Sequence, residues 1–210
     1  MVDTIRRITD EQQLREILGV TPEQAIIKIT DRLNELTRQF IDASPFVCVA
    51  TVSPDGGLDV SPRGDAAGFV HVLDERTLLM PDRPGNRIAD TLTNLLADDR
   101  IGLLFLVPGV GDTFRVNGRA IVTDDRKLLE PCAVDGKVPA LGVVISIEEA
   151  YTQCPKALIR SELWNPERHI QRSQLPSAGA ILRAVHDSQF DAERYDCDRA
   201  ERYARSEGLP

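Results

Sequence analysis

A chain of 210 residues that is 42% hydrophobic and 28% charged is long enough to bury a substantial core. It fits one globular unit with helical extensions better than two full domains. The formal charge of −8 comes with no basic tract, which argues against nucleic acid or an anionic membrane as partner, so any positive cluster has a local purpose.

No apolar run approaches the roughly 20 residues needed to span a bilayer. The start, Met1-Val2-Asp3-Thr4-Ile5-Arg6-Arg7, lacks the apolar region of a signal peptide, and a cytoplasmic protein is expected. Cys48, Cys132, Cys154 and Cys197 are widely separated without Cys-x-x-Cys spacing, so reduced thiols are expected. His71, His169 and His186 show no paired ligand spacing, and no metal site is expected.

The first forty-odd residues read as helical. Thr9-Asp10-Glu11 caps a helix through Leu14, Ile17 and Leu18 that stops near Gly19, and Thr21-Pro22-Glu23 opens another with Pro at its first position. Ala25, Ile26, Ile29, Leu33, Leu36, Phe40 and Ile41 then recur mostly at intervals of three and four, the pattern of an amphipathic arm. From Pro45 the texture turns to β. Phe46 to Val52 is rich in β-branched residues, Ser53-Pro54-Asp55-Gly56-Gly57 is a turn, and Leu58 to Ser61 begins the return strand of a hairpin. Phe69 to Leu73 and Thr77 to Met80 flank another polar turn and extend the meander.

A helix is predicted over Arg87 to Leu96, with Ile88, Leu92, Leu95 and Leu96 on one face. The apolar run Ile101 to Val107 suits a central strand, followed by a strand from Asp112 to Thr123. Gly109-Val110-Gly111 lies between them and reads as a hairpin turn, because no helix follows it as a dinucleotide loop requires. A short helix over Asp124 to Pro131 leads to a last strand, Leu141 to Ile147. Gln174 to Val185 and Asp191 to Ser206 read as helices. About six strands with one helical interruption suit a closed barrel, which removes exposed edges.

The densest chemistry lies between Asp59 and Arg87. Two guanidinium forks, Arg63 and Arg87, stand among Gly, Pro, Ser and Asn residues, the second at the expected helix start, where free N–H groups and the dipole favour an anion. A phosphate-bearing cofactor is the first expectation. Asp59, Asp65 and Asp82 are alternative ion-pair partners for either arginine. Trp164 either anchors the last helix to the barrel or walls a pocket. Lys156 and Arg160 share one helical face, Cys154 has no base partner and reads as packing, and His71 lies in an apolar strand as a structural residue.

Five ordered segments, Phe46 to Thr51, Asp59-Val60-Ser61-Pro62-Arg63-Gly64-Asp65, Pro81-Asp82-Arg83-Pro84-Gly85-Asn86-Arg87, Gly102 to Gly109 and Arg115 to Ala120, together resemble the pyridoxamine 5′-phosphate oxidase-like, FMN-binding split-barrel proteins. The resemblance continues through Cys154 to Trp164 and points to a branch of uncharacterised FMN-dependent enzymes. It implies a mainly β fold with helical extensions (α+β): a six-stranded antiparallel split β-barrel. A helical arm over 1–44, a barrel over 45–165 and a C-terminal helical extension over 166–210 would form one unit. It also implies a homodimer with FMN in two sites at the subunit interface.

Carried onto this chain, the resemblance puts Ser61 and Arg63 on the strand beside the flavin, Met80 and Pro81 on the next cofactor-contacting strand, and Asn86 and Arg87 on the phosphate. Thr113 and Arg115 would approach the ring, and Lys156 and Trp164 would complete the site. The implied activity is flavin-mediated oxidoreduction of a small molecule, with a flavin-binding or storage protein, or a split-barrel binder of haem or a deazaflavin, as alternatives. No convincing axial His is present for haem. Pyridoxamine 5′-phosphate itself is not the expected substrate, because Asp65 stands where those oxidases carry a Lys and would repel a second phosphate. Their C-terminal Arg-x-His region is also missing, with Trp164-Asn165-Pro166-Glu167-Arg168-His169 in its place.

Overall fold

The structure, a computed structural model, describes residues 4–85, 87–186 and 188–205. Three short helices come first: α1 (Glu11–Leu18), α2 (Glu23–Ile27) and α3 (Glu35–Asp42). The strands are β1 (Phe46–Val52), β2 (Leu58–Gly64), β3 (His71–Asp74), β4 (Thr77–Pro81), β5 (Arg100–Leu106), β6 (Thr113–Thr123) and β7 (Gly142–Gln153). Helix α4 (Asp90–Ala97) separates β4 from β5, α5 (Arg126–Leu129) separates β6 from β7, and α6 (Lys156–Ser161), α7 (Ala178–Val185) and α8 (Ala192–Ala204) follow.

The strands form one antiparallel sheet in the order β2-β1-β5-β6-β7-β4-β3. The fold is the expected split barrel with seven strands in place of six. Strand β3, where Phe69 to Leu73 was expected, is four residues long and paired only to β4, with an irregularity between Val72 and Asp74. Alternation along β1 and β5 turns Val47, Val49, Ile101, Leu103 and Phe105 inward, where they meet Leu78, Met80, Phe114, Val116 and Ile145. Ile41 of α3 and Leu95 of α4 join the same cluster, and Phe40 stacks on Phe114 at 5.7 Å between ring centroids. One core therefore receives residues from both halves of the sheet.

Strands β6 and β7 are the long central pair. Their register shifts between Asn117 and Gly118, where a Cβ would sit 2.0 Å from the Ser146 carbonyl oxygen, so only glycine permits the bulge. Strand β7 runs past the expected Ile147 to Gln153, its outward Glu148 and Glu149 reaching Arg119 and Asn117 on β6.

The apolar period from Ala25 to Ile41 does not form one helix. After α2 the chain crosses β7, Thr30 and Ala150 exchanging backbone bonds of 3.2 and 2.6 Å, and α3 starts afresh from a reciprocal cap between Asn34 and Thr37. Pro22 is the N-cap of α2 and not its first helical residue. Helix α4 likewise begins at Asp90, three residues later than expected, because Arg87 and Ala89 take φ values of 63° and 61°. Helix α7 starts at a Ser177 cap, and Gly179 lets it lie against Ala192 of α8, where a Cβ would sit 2.3 Å from the Ala192 carbonyl oxygen. No described helix is long and apolar enough to cross a membrane.

Candidate functional site

The site grows from the end of β2 and the strap that follows β4. On β2, alternation leaves Asp59, Ser61 and Arg63 half-buried and turns Leu58, Val60 and Pro62 to solvent. The strap from Asp82 to Ala89 is tied at its start, where the Asp82 N–H donates to the Leu141 carbonyl at 3.0 Å. Between them lies a cavity of about 390 Å³ bordered by Pro62, Arg63, Gly64, Asp82, Arg83, Gly85, Arg87 and Leu92. Three guanidinium groups therefore border one cavity in a chain whose net charge is −8.

The three arginines are held differently. Arg63 donates from Nη1 to its neighbour Pro62 carbonyl at 2.8 Å and from Nη2 to Thr91 Oγ1 at 2.9 Å, both neutral acceptors. Arg83 donates from Nε to Asp65 Oδ2 at 2.5 Å and from Nη1 to the Cys132 carbonyl at 2.9 Å. That ion pair is well shielded, with the two side chains 17% and 8% exposed. Arg87 is exposed and has no hydrogen-bond or ion-pair partner among the described residues.

Among the described residues none of the three aspartates forms a hydrogen bond or ion pair with Arg63 or Arg87. Asp59 accepts from the Ser61 hydroxyl at 3.2 Å, and Asp65 is committed to Arg83 and to the Ala66 N–H. Asp65 is therefore not a free carboxylate repelling a phosphate; Arg83 neutralises it, which corrects the expectation drawn from its position. Asp82 is the carboxyl that faces the cavity unpartnered among the described residues. Burial pushes it above the ordinary carboxylate range, and the nearby charge of Arg63 opposes the shift. A second cavity of about 330 Å³ lies across the strap, sharing Asp82, Arg83 and Pro84 and closed by Val134 and Lys137 to Ala140. Burial also raises the Cys132 thiol, which keeps it protonated beside Arg83.

Of the residues singled out in the sequence, Arg63 and Arg87 meet at the first cavity. Asn86 lies outside the described residues. Ser61 sits further back on β2, Met80 is buried in the core, and Pro81 is buried at the end of β4. A separate group gathers around the start of β6 and the end of β7. Thr113 is buried opposite Gln153, Arg115 donates to the Tyr151 hydroxyl at 3.2 Å and lies 5.7 Å from that ring, and Lys156 opens α6 exposed to solvent. Trp164 donates from Nε1 to the Val110 carbonyl at 2.8 Å, anchoring the segment after α6 to the β5–β6 turn. Two residues were not singled out, Arg83 at the cavity and Thr91 behind Arg63. Arg83 stands inside the same Pro81-to-Arg87 segment and could have been found there; the Thr91 hydroxyl gives no signal from within a helix. None of the three histidines borders either cavity.

A split barrel with a cationic cavity beside its second strand defines the class. The family model for pyridoxamine 5′-phosphate oxidase matches residues 33–154, more than half of the chain, and the protein belongs to that family. Similar solved structures include HupZ of Group A Streptococcus, 16% identical over 58% of this chain and 94% of that one, with a TM-score of 0.47. A Lactobacillus delbrueckii protein assigned to pyridoxamine 5′-phosphate oxidase is 25% identical over 58% of this chain and 95% of its own, at a TM-score of 0.45. A Clostridium acetobutylicum protein related to general stress protein 26 is 14% identical over 57% and 86%, also at 0.45. Among curated proteins, none matches this chain.

Proposed function

We propose that this protein is an FMN-dependent oxidoreductase and that the cavity between β2 and the strap receives the FMN phosphate. The observation that carries the reading is the state of two arginines on one cavity: Arg63 bound only to neutral acceptors and Arg87 without a partner among the described residues. Cations without a carboxylate in hydrogen-bond contact at a common cavity suit a dianion, and a fork suits phosphate oxygens better than an ammonium does. A Cβ at Gly85 would meet nothing closer than the Arg83 carbonyl at 4.0 Å, so the strap backbone there is open to approach by a ligand.

Each residue then has a task. Arg63 offers its remaining N–H donors from the cavity wall, Arg87 closes on the anion from the rim, and Arg83 keeps the strap in place through Asp65 and Cys132. Bound FMN supplies the electron and hydride chemistry, so the protein needs to bind, orient and shield. Family members are typically dimers, and the reading includes a homodimer in which Thr113, Arg115, Lys156 and Trp164 of one protomer complete the flavin site of its partner. Four unpaired cysteines suit a reducing, cytoplasmic setting.

The test is the absorption spectrum and mass of the ligand that copurifies, followed by FMN and riboflavin titrations. FMN bound at about one per chain, with a clear preference over riboflavin, supports the reading; a haem or deazaflavin spectrum overturns it. Sustained oxidation of NAD(P)H with an added acceptor supports enzyme over storage protein. Sedimentation of a monomer that retains FMN tightly would remove the shared site.

A further inference from the structure

Helix α4 has two buried polar side chains that point back at the sheet. Asn94, 4% exposed, donates from Nδ2 to Thr51 Oγ1 at 3.0 Å and so fixes the helix against β1. Thr91, 1% exposed and one turn earlier, accepts from Arg63 Nη2 at 2.9 Å and so ties the same helix to β2. The lead-in to this helix carries Arg87. One helix thus sets the relation between both arginines of the cavity.

We infer that Thr91 is a positioning residue that pre-aims the Arg63 guanidinium at the phosphate and thereby sets the preference for phosphorylated over unphosphorylated flavin. The inference rests on the FMN reading above and goes beyond it, because Thr91 does not border the cavity and acts through Arg63 alone. The physical case is one of freedom removed in advance. An arginine has several rotatable bonds and would have to order them when the anion arrives. Here one Nη is fixed on a buried hydroxyl and the other on the Pro62 carbonyl, so the fork is held before binding, with N–H donors left over for the ligand. A carboxylate in place of Thr91 would hold Arg63 equally well but would neutralise it, as Asp65 does for Arg83. A hydroxyl orients the cation without consuming its charge.

The experiment compares FMN and riboflavin affinities in the full-length protein and in Thr91→Val, Thr91→Ser, Arg63→Met and the double variant Thr91→Val/Arg63→Met. Thr91→Val keeps the side-chain shape and removes the acceptor; the expected result is FMN binding weakened about 5- to 20-fold, with riboflavin changed by less than about twofold. Thr91→Ser restores the acceptor and should bring FMN back to within about threefold. In the Arg63→Met background Thr91→Val should have no further effect on the FMN-to-riboflavin ratio. Should Thr91→Val fold poorly, the Thr91→Ser variant with Thr91→Ala carries the same comparison. Equal loss of both ligands, or an undiminished Thr91→Val effect without Arg63, would reduce Thr91 to a packing residue and overturn the inference. An unaltered protein that shows no preference for FMN would instead overturn the cofactor reading itself.

Discussion

Arg63 and Arg83 border one cavity, yet they rest on opposite kinds of support. Arg83 is locked to a shielded carboxylate and to the backbone beside Cys132, so its charge is spent inside the protein and its work is to hold the strap. Arg63 rests on a hydroxyl and a carbonyl, and Arg87 on nothing among the described residues, so their charge remains directed at the cavity. The difference teaches that a count of cations around a pocket is a poor guide to its ligand. What each cation is already bonded to separates scaffold from binding group.

The largest expected effect tests the scaffold side. Removing Arg83 leaves the shielded Asp65 carboxyl with the Ala66 N–H alone, which costs about 3–5 kcal/mol. In a domain of this size that lowers the unfolding midpoint of Arg83→Ala by roughly 6–20 °C. Calorimetry showing a midpoint unchanged from the parent protein would break the comparison, because Arg83 would then be as free as Arg87.

Next comes the binding side. Arg87→Ala should leave the ligand-free stability within about 0.5 kcal/mol, since an exposed side chain with no partner among the described residues contributes little to the fold. FMN affinity should fall by about 1.5–3 kcal/mol, roughly 10- to 150-fold, as a charge-assisted bond to the phosphate is lost. Riboflavin, which lacks the phosphate, should be nearly unaffected. Equal weakening of the two flavins would return Arg87 to a solvated surface residue.

These contrasts also show how far the chain could be read in advance. Arg63 and Arg87 stood out because arginines among Gly, Pro and Ser carry a local signal, and the β-branched runs announced the strands of the core. The pairing of Arg83 with Asp65 did not, because eighteen residues and two strands separate them and the sequence carries their charges but not their meeting. Thr91 was invisible for a related reason: inside a helix a threonine reads as a neutral choice, and its task appears only when α4 is laid on β2. The N-terminal arm misled in another way. Its apolar period from Ala25 to Ile41 is helical in spacing, but contact with β7 at Ala150 pulls Thr30 into a bridge and breaks the helix in two. The last strand ran long for the converse reason, its charged Glu148 and Glu149 hiding an edge-facing continuation that Arg119 and Asn117 support.

A third prediction compares the cavity with the β5–β6 turn. Trp164→Phe keeps an aromatic side chain, though a smaller one, and removes the indole donor to the Val110 carbonyl, a loss of about 0.5–1.5 kcal/mol. The unfolding midpoint should drop by a few degrees, about 1–6 °C, with the FMN-to-riboflavin ratio unchanged. A loss selective for FMN would place Trp164 with the phosphate groups and dissolve the distinction between the two groups.

The smallest effect concerns Asp82, the one carboxyl that both cavities share. Burial raises its pKa in the folded protein, and Arg63 opposes that shift without cancelling it. The folded state therefore holds the proton more tightly than the unfolded chain, and stability contributed at this position falls as pH rises from the ordinary carboxylate range through the raised value. Above that window Asp82 is a charge the fold tolerates at a cost; below it the cost is absent. Asp82→Asn should accordingly be slightly more stable than the parent near neutral pH, the gain fading as the pH is lowered through the raised value and gone below the ordinary carboxylate range. Urea unfolding of the ligand-free protein across that range measures it directly. A variant less stable at neutral pH would mean that Arg63 depends on Asp82 as an ion-pair partner, and Arg63 would then belong beside Arg83 on the scaffold side of the cavity.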